Sequence, residues 1–247
     1  NLMIETAKKN NVKLSVAHQN RFNKPIQKLR EAVEEEKLGR IMNGTARILW
    51  RRDDNYYKQA PWRGTWDLDG GTLMNQCIHN IDLMQWMIGS EVERVYAECD
   101  TYRNNIEGED FGAILVRFKN GAIGIIEGSA VVYPKNLEET LSIFGTQGTV
   151  VIGGLAVNEL KTWRFEGEDE EAVKAGLQVE IDSVYGEGHT PLIRDVIYAI
   201  NEDRKPYVSG EDAIVPLSII LAAYKSRKTG MPVKFPFTNF STSDMKK

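Results

Sequence analysis

Residues 70–87 read GGTLMNQCIHNIDLMQWM, and the reading of this stretch decides the rest. Two glycines precede a mostly apolar run that closes at Gly89, so the spacing predicts one helix over 72–87. On that helix Asn75, His79 and Asp82 fall at i, i+4 and i+7, along a single stripe. A largely buried helix needs a reason to carry an amide, an imidazole and a carboxylate in line. Two readings are open. His79 and Asp82 form a hydrogen-bonded pair that ties the helix to a sheet, or they belong to a site. In a site, His79 would move a proton, Asp82 would hold its tautomer and Asn75 would bind a substrate hydroxyl or carbonyl. Gly70 and Gly71 would let a ligand approach the helix N-terminus closely.

Outward from the stretch, the pattern predicts a helix over 2–10 and a strand over 12–17. The polar loop His18-Gln19-Asn20-Arg21-Phe22-Asn23 follows at the strand's C-terminal end, where α/β proteins often bind ligands. Pro25 opens a helix that runs to about residue 37, with Gly39 as its cap. A strand over 41–50 leads into the loop RRDDNYYKQAPWRGTWDLDGG, residues 51–71. Its Arg51, Arg52, Lys58 and Arg63 suit phosphate, and its Tyr56, Tyr57 and Trp62 suit a sugar face or a nucleobase. A surface arm used in subunit contacts is the other reading of this loop.

Beyond the stretch, strands are predicted over 92–101, 110–118, 122–131, 138–144 and 149–152, with an edge strand over 160–165. Lys119-Asn120-Gly121 between two of them is a hairpin signal. The acidic run over 166–171 reads as a solvated loop. His189, after Gly186-Glu187-Gly188, reads as a loop residue ahead of a helix over 191–202, and a last helix spans 210–228. Strands grouped together with helices before and after them predict an α+β fold. The expected architecture is a large, mostly antiparallel open sheet with helices on one face, preceded by a short α/β segment. The uncovered face predicts a homo-oligomer, a dimer or tetramer assembled through the sheet.

The 247 residues are 42% hydrophobic and carry a net charge of −4, which supports a core and gives no overall field for nucleic acid or an anionic membrane. No run of 18 apolar residues occurs, so no membrane span is expected. Cys77 and Cys99 form no C-x-x-C pair, and so low a cysteine content fits a reducing cytoplasm. No further His or Cys cluster stands near His79 and Asp82, so no metal site is expected. Val150-Val151-Ile152-Gly153-Gly154 begins like a dinucleotide fingerprint but lacks the third glycine and the helix. The chain opens at Asn1 inside a helical pattern, which predicts a fragment of a longer polypeptide.

Four stretches in order resemble the Gfo/Idh/MocA oxidoreductases. VAHQNRFNKPIQKLREAVEEEKLGRI, from Val16, resembles that family's last Rossmann strand and the helix into its second domain. GGTLMNQCIHNIDLMQWM resembles the motif G-G-G-x-L-x-D-x-G-x-H-x-x-D. LSIFGTQGTVVI and SGEDAIVPLSIILAAYKSRKTGMPVKFP resemble its late strand pair and its C-terminal helix and tail. QAPWRGTW, NQCIHNID and YPKNLEETL are most similar to the nucleotide-sugar branch.

The resemblance implies an NAD- or NADP-dependent dehydrogenase of a sugar or nucleotide sugar. It implies an active-site role for His79, near the oxidised carbinol, and for Asn75. Asn75 stands where many members carry Asp, and Cys77 where many carry Gly. Arg21, Tyr57 and Asp82 become candidate substrate residues, and Gln19, Asn20, Trp62 and Arg63 candidate cofactor residues. Residues 1–22 are expected to be the remnant of a Rossmann domain, and residues 23–247 the substrate-binding and oligomerisation domain. With no glycine-rich loop and no Glu-Lys-Pro motif in the chain, it is expected to bind no cofactor and transfer no hydride by itself. The alternative is a non-catalytic domain that binds a sugar nucleotide or serves assembly.

Overall fold

The computed structural model describes residues 1–177, 187–237 and 240–246. In chain order it has α1 (Leu2–Lys9), a 3-10 turn (Gln19–Phe22), α2 (Lys24–Glu34), β1 (Ile41–Leu49), α3 (Asp54–Lys58), α4 (Thr72–Asn75) and α5 (Ile78–Ile88). The strands β2 (Val92–Asp100), β3 (Phe111–Phe118), β4 (Ile123–Ser129), β5 (Glu138–Gly145), β6 (Gly148–Gly153) and β7 (Glu159–Phe165) follow. After them come α6 (Glu170–Leu177), α7 (His189–Asn201), α8 (Ile214–Thr229) and β8 (Val233–Lys234). Among the described residues no helix is long and apolar enough to cross a membrane.

The strands form one eight-stranded sheet in the order β7-β6-β5-β1-β4-β3-β2-β8. Every neighbouring pair is antiparallel except β1 and β4, which run parallel with Asn43 opposite Ile123. The α+β expectation therefore holds, with the single parallel pair at the sheet's centre. Burial alternates along β3 and β4, so one face is apolar and inward while the other meets solvent. α5 lies across β1, β4 and β5, and α8 across β2. On the opposite face, Tyr96, Leu115, Ile125, Thr45, Ser142 and Val151 stand in register from strand to strand. Leu115 and Ile125 in that row remain about half exposed.

Two inward glycines set how closely the helices approach the sheet. A Cβ on Gly112 would meet Leu73 at 2.7 Å, and one on Gly128 would collide with the Sγ of Cys77. The chain from α4 into α5 thus rests directly on β3 and β4, with Leu73, Cys77, Ile81 and Met84 fully buried beneath it.

Three local expectations are corrected. The helix over 72–87 is two helices: α4 ends at Asn75, and α5 begins at Ile78. At the junction the Cys77 N–H reaches back five residues to the Thr72 carbonyl at 3.0 Å, a local widening that changes the helix's phase. The strand over 12–17 is only a bridge between Ser15 and Ser209, since among the described residues the segment pairs across with 208–210 alone. The acidic run is not simply solvated. Glu168 accepts from the Nε1 of buried Trp163 at 2.6 Å, and Glu170 opens α6 while accepting the Trp163 N–H at 3.1 Å. The loop over 51–71 also carries α3, which is capped by the Asp53 carboxylate on the Tyr56 N–H.

Candidate functional site

The break at Gln76–Cys77 divides the polar stripe among three separate sets of contacts. His79, one residue into α5, stands edge-on to His18, with ring centroids 5.6 Å apart and planes at 82°. His18 immediately precedes the 3-10 turn and is almost fully buried. Neither ring nitrogen of His18 has a partner, nor does Nδ1 of His79. Burial above all, helped by the charges of His18 and His189 and opposed by Asp82, lowers the pKa of His79 to about 4. Burial also lowers that of His18, with Arg21 adding to it while Asp82 and Asp212 oppose. All three histidines of the chain therefore act on one locality, and His79 is neutral near pH 7, the form that accepts a proton.

Asp82 does not hold the His79 ring. It is fully buried and takes a two-pronged ion pair from Arg21, with Nε to Oδ2 at 2.7 Å and Nη2 to Oδ1 at 2.6 Å. Arg21 is 1% exposed, lies 4.6 Å over the Trp86 ring, and has Asp212 at 3.7 Å from Nη1. The two candidate substrate residues Arg21 and Asp82 thus spend their charges on each other beside the histidines.

Asn75 belongs to a third set. Its Oδ1 accepts from the Tyr56 hydroxyl at 3.2 Å, and its Nδ2 donates to Asp69 at 2.6 Å. The Tyr56 oxygen in turn accepts from Gln76 Nε2 at 3.0 Å and from Arg63 Nη1. The Arg63 guanidinium lies 4.2 Å over the Tyr56 ring and 4.8 Å over that of Trp62. Tyr57 turns away into a separate cleft with Pro61 and Ile106, where burial raises its phenol pKa.

Of the other candidate cofactor residues, Gln19 and Asn20 are buried and engaged within the protein. Gln19 Nε2 donates to Asn20 Oδ1 at 3.4 Å, and Asn20 Nδ2 donates to Glu139 Oε1 at 3.0 Å. Trp62 keeps an exposed ring face. The described residues fit a nicotinamide dinucleotide on one side only. They offer unpartnered imidazole nitrogens at His18 and His79 and an open indole at Trp62, but no glycine-rich helix N-terminus for a pyrophosphate. Among the described residues no three His, Cys, Asp or Glu side chains gather as a metal site.

Sequence reading missed Glu109 and Glu139. Glu109 Oε1 accepts from the Leu73 N–H at 2.7 Å and from the Tyr224 hydroxyl at 3.1 Å, so a buried carboxyl caps α4 from the loop before β3. Its body also fills the space that a side chain at Gly71 would need. Burial raises both glutamates to about 8. Neither sits in a local pattern that signals its role; each meets its partner across the fold.

An open, mostly antiparallel sheet backed by helices on one face is the fold class of the GFO/IDH/MocA C-terminal domain. The chain belongs to the GFO/IDH/MocA family, whose C-terminal domain model matches residues 26–151. It superposes on the WlbA dehydrogenase of Bordetella pertussis, solved with NADH and UDP-GlcNAcA, with a TM-score of 0.89 and 36% identity over 96% of this chain and 68% of that one. It is 26% identical to myo-inositol 2-dehydrogenase of Thermotoga maritima over 94% of this chain and 67% of the relative. It is 24% identical to levoglucosan dehydrogenase of Pseudarthrobacter phenanthrenivorans over 77% of this chain and 55% of the relative. The chain thus spans about two thirds of the first two proteins.

Proposed function

We propose that this chain supplies the substrate-binding part of an NAD(P)-dependent dehydrogenase that oxidises a hydroxyl of a sugar or nucleotide sugar. The observation that carries the reading is the His79–His18 pair. A neutral imidazole with an unpartnered nitrogen lies at the start of the family motif helix. His79 takes the hydroxyl proton, and Asn75, held between Tyr56 and Asp69, orients the sugar. Arg21 and Asp82 keep the floor of the site rigid, and Tyr57 lies at its margin. The dinucleotide, when bound, accepts the hydride. Gln19, Asn20, Trp62 and Arg63 line its approach. The likeness to WlbA, a dehydrogenase solved with a nucleotide sugar, supports that substrate class.

The reading assigns residues 1–22 to the dinucleotide-binding side and residues 23–247 to substrate and assembly. Its cofactor site needs a glycine-rich unit beyond these 247 residues, since they contain none. The half-exposed row of Leu115 and Ile125 on the free sheet face is the proposed contact between copies. In the intact enzyme, His79→Ala is expected to lower turnover of UDP-sugars with NAD roughly 100-fold while the far-UV spectrum is unchanged. Turnover at the parent rate would overturn the role of His79. Absence of any NAD reduction by the parent enzyme across sugars and nucleotide sugars would favour a non-catalytic binding domain.

A further inference from the structure

A further concavity is lined by Tyr56, whose hydroxyl meets Asn75. Its volume is about 870 Å³, and Arg51, Arg52, Arg63, Lys135, Tyr56 and Asn136 line it. The four cations come from three segments of chain. None of them forms an ion pair in the described structure, although the chain as a whole is acidic. The carboxylate on the rim, Asp53, is engaged as the cap of α3. The site is built before any ligand arrives. Asn136 Oδ1 accepts from the Arg51 N–H at 2.8 Å and from Arg52 Nη1 at 3.3 Å. The Arg52 guanidinium is stacked 4.8 Å over Trp50 and 5.1 Å over Tyr56. The Nε groups of Arg52 and Arg63 are buried without a partner, so both guanidinium groups hold a donor in reserve.

We infer that this cleft binds a diphosphate. Guanidinium forks match phosphate oxygens two at a time, and cations from facing walls suit two linked phosphates better than one. The cleft volume exceeds what a single inorganic phosphate needs. Tyr56 joins the cleft to the site: its ring lines the cleft and its hydroxyl donates to Asn75. A diphosphate held here places a sugar esterified to it one tyrosine side chain away, against Asn75. The inference deepens the proposed function, on which it rests for the identity of that sugar as substrate. The diphosphate belongs to a nucleoside diphosphate or to free pyrophosphate, and the two are separable.

The test is calorimetric titration of the 247-residue chain with UDP and with inorganic pyrophosphate at low ionic strength, where exposed charge is least screened. Saturable binding of either is expected, with a dissociation constant of about 1 mM or tighter. UDP binding tighter than pyrophosphate identifies the nucleoside form as the occupant, and equal binding identifies the diphosphate alone. Lys135→Gln, in an exposed loop, and Arg52→Gln are each expected to weaken it roughly tenfold. Lys119→Gln, remote and paired with Glu91, should change nothing. Absence of binding, or binding unmoved by Lys135→Gln and Arg52→Gln, overturns the inference. The readout involves no turnover. An intact enzyme that oxidises sugars while its cleft ignores both probes overturns only the cleft. An inactive enzyme whose cleft binds them overturns only the dehydrogenase reading.

Discussion

Asp82→Asn separates a structural pair from a ligand-binding one. The change keeps the side-chain shape and leaves Arg21 without its buried counter-charge. Arg21 and Asp82 are 1% and 0% exposed and make two hydrogen bonds at 2.6–2.7 Å, so water cannot replace the lost carboxylate. Breaking a buried pair from one side costs about 3–5 kcal/mol. Asp212 offers Arg21 a second carboxylate at 3.7 Å, but it is partly solvated and beyond hydrogen-bond range, so it offsets little. At the low end, about 3 kcal/mol, a chain of this size loses roughly 6–12 °C in Tm. Replacing both partners, as Arg21→Met with Asp82→Leu, removes the desolvation penalty along with the attraction and is expected to recover most of the loss. Urea unfolding followed by tryptophan fluorescence reads the cycle, since Trp86 lies against Arg21. Asp82→Asn with a Tm within about 2 °C of the parent would refute the reasoning, because a pair worth less than 1 kcal/mol is not desolvated.

Two predictions concern protons. The His79 imidazole is expected to titrate near about 4 in carbon-detected NMR spectra of the folded chain; a midpoint near the ordinary 6.5 would show that it is not desolvated. The pKa is lower folded than unfolded, so the stability linked to neutral His79 is complete above pH 6.5 and is lost as the pH falls toward about 4. Glu109 has the opposite sign. Its raised pKa, about 8, means that stability linked to its protonated form is complete below pH 4.5 and is lost as the pH rises through 8. Glu109→Gln, which imitates the neutral acid toward Leu73 and Tyr224, should remove a loss of about 1.4 kcal/mol per pH unit that urea unfolding of the parent shows between pH 4.5 and about 8. Parallel pH profiles for parent and variant would contradict it.

Where the determinants were local, the sequence was legible. The strand-like runs over 110–118 and 122–131 became β3 and β4, and Gly89 and Gly230 end α5 and α8 in the left-handed conformation. Gly121, also left-handed, turns the hairpin between β3 and β4. What stayed hidden depended on contacts between distant residues. The break after Asn75 carries no proline or glycine. It arises where the chain settles onto Gly112 and Gly128, two strands that come later in the sequence. Asp82 reads as the partner of His79 by helical spacing, but the tertiary fold brings Arg21, 61 residues earlier, to its carboxylate. The segment over 12–17 has the alternation of a strand, and pairing depends on what lies beside it. For the candidate site, position along the chain singled out His79 and Asn75 as candidates. The partners that hold Asn75 came from the long aromatic loop and could not be matched to it by spacing.

The parallel pairing of β1 with β4 also governs the order in which the molecule can be assembled. β1 is the first strand of the sheet to be made, yet Asn43 finds its partner in Ile123, 80 residues later, and Leu49 meets Glu138 on its other side. During synthesis at about 5–20 residues per second, the central strand waits roughly 5–20 s for β5 to emerge. Until then the apolar face of α5 has no sheet to cover it. Pairings between residues so far apart in the chain are slow to close even after release. The strand that joins the two halves of the sheet is thus the one whose pairing must close over long stretches of chain on both of its sides.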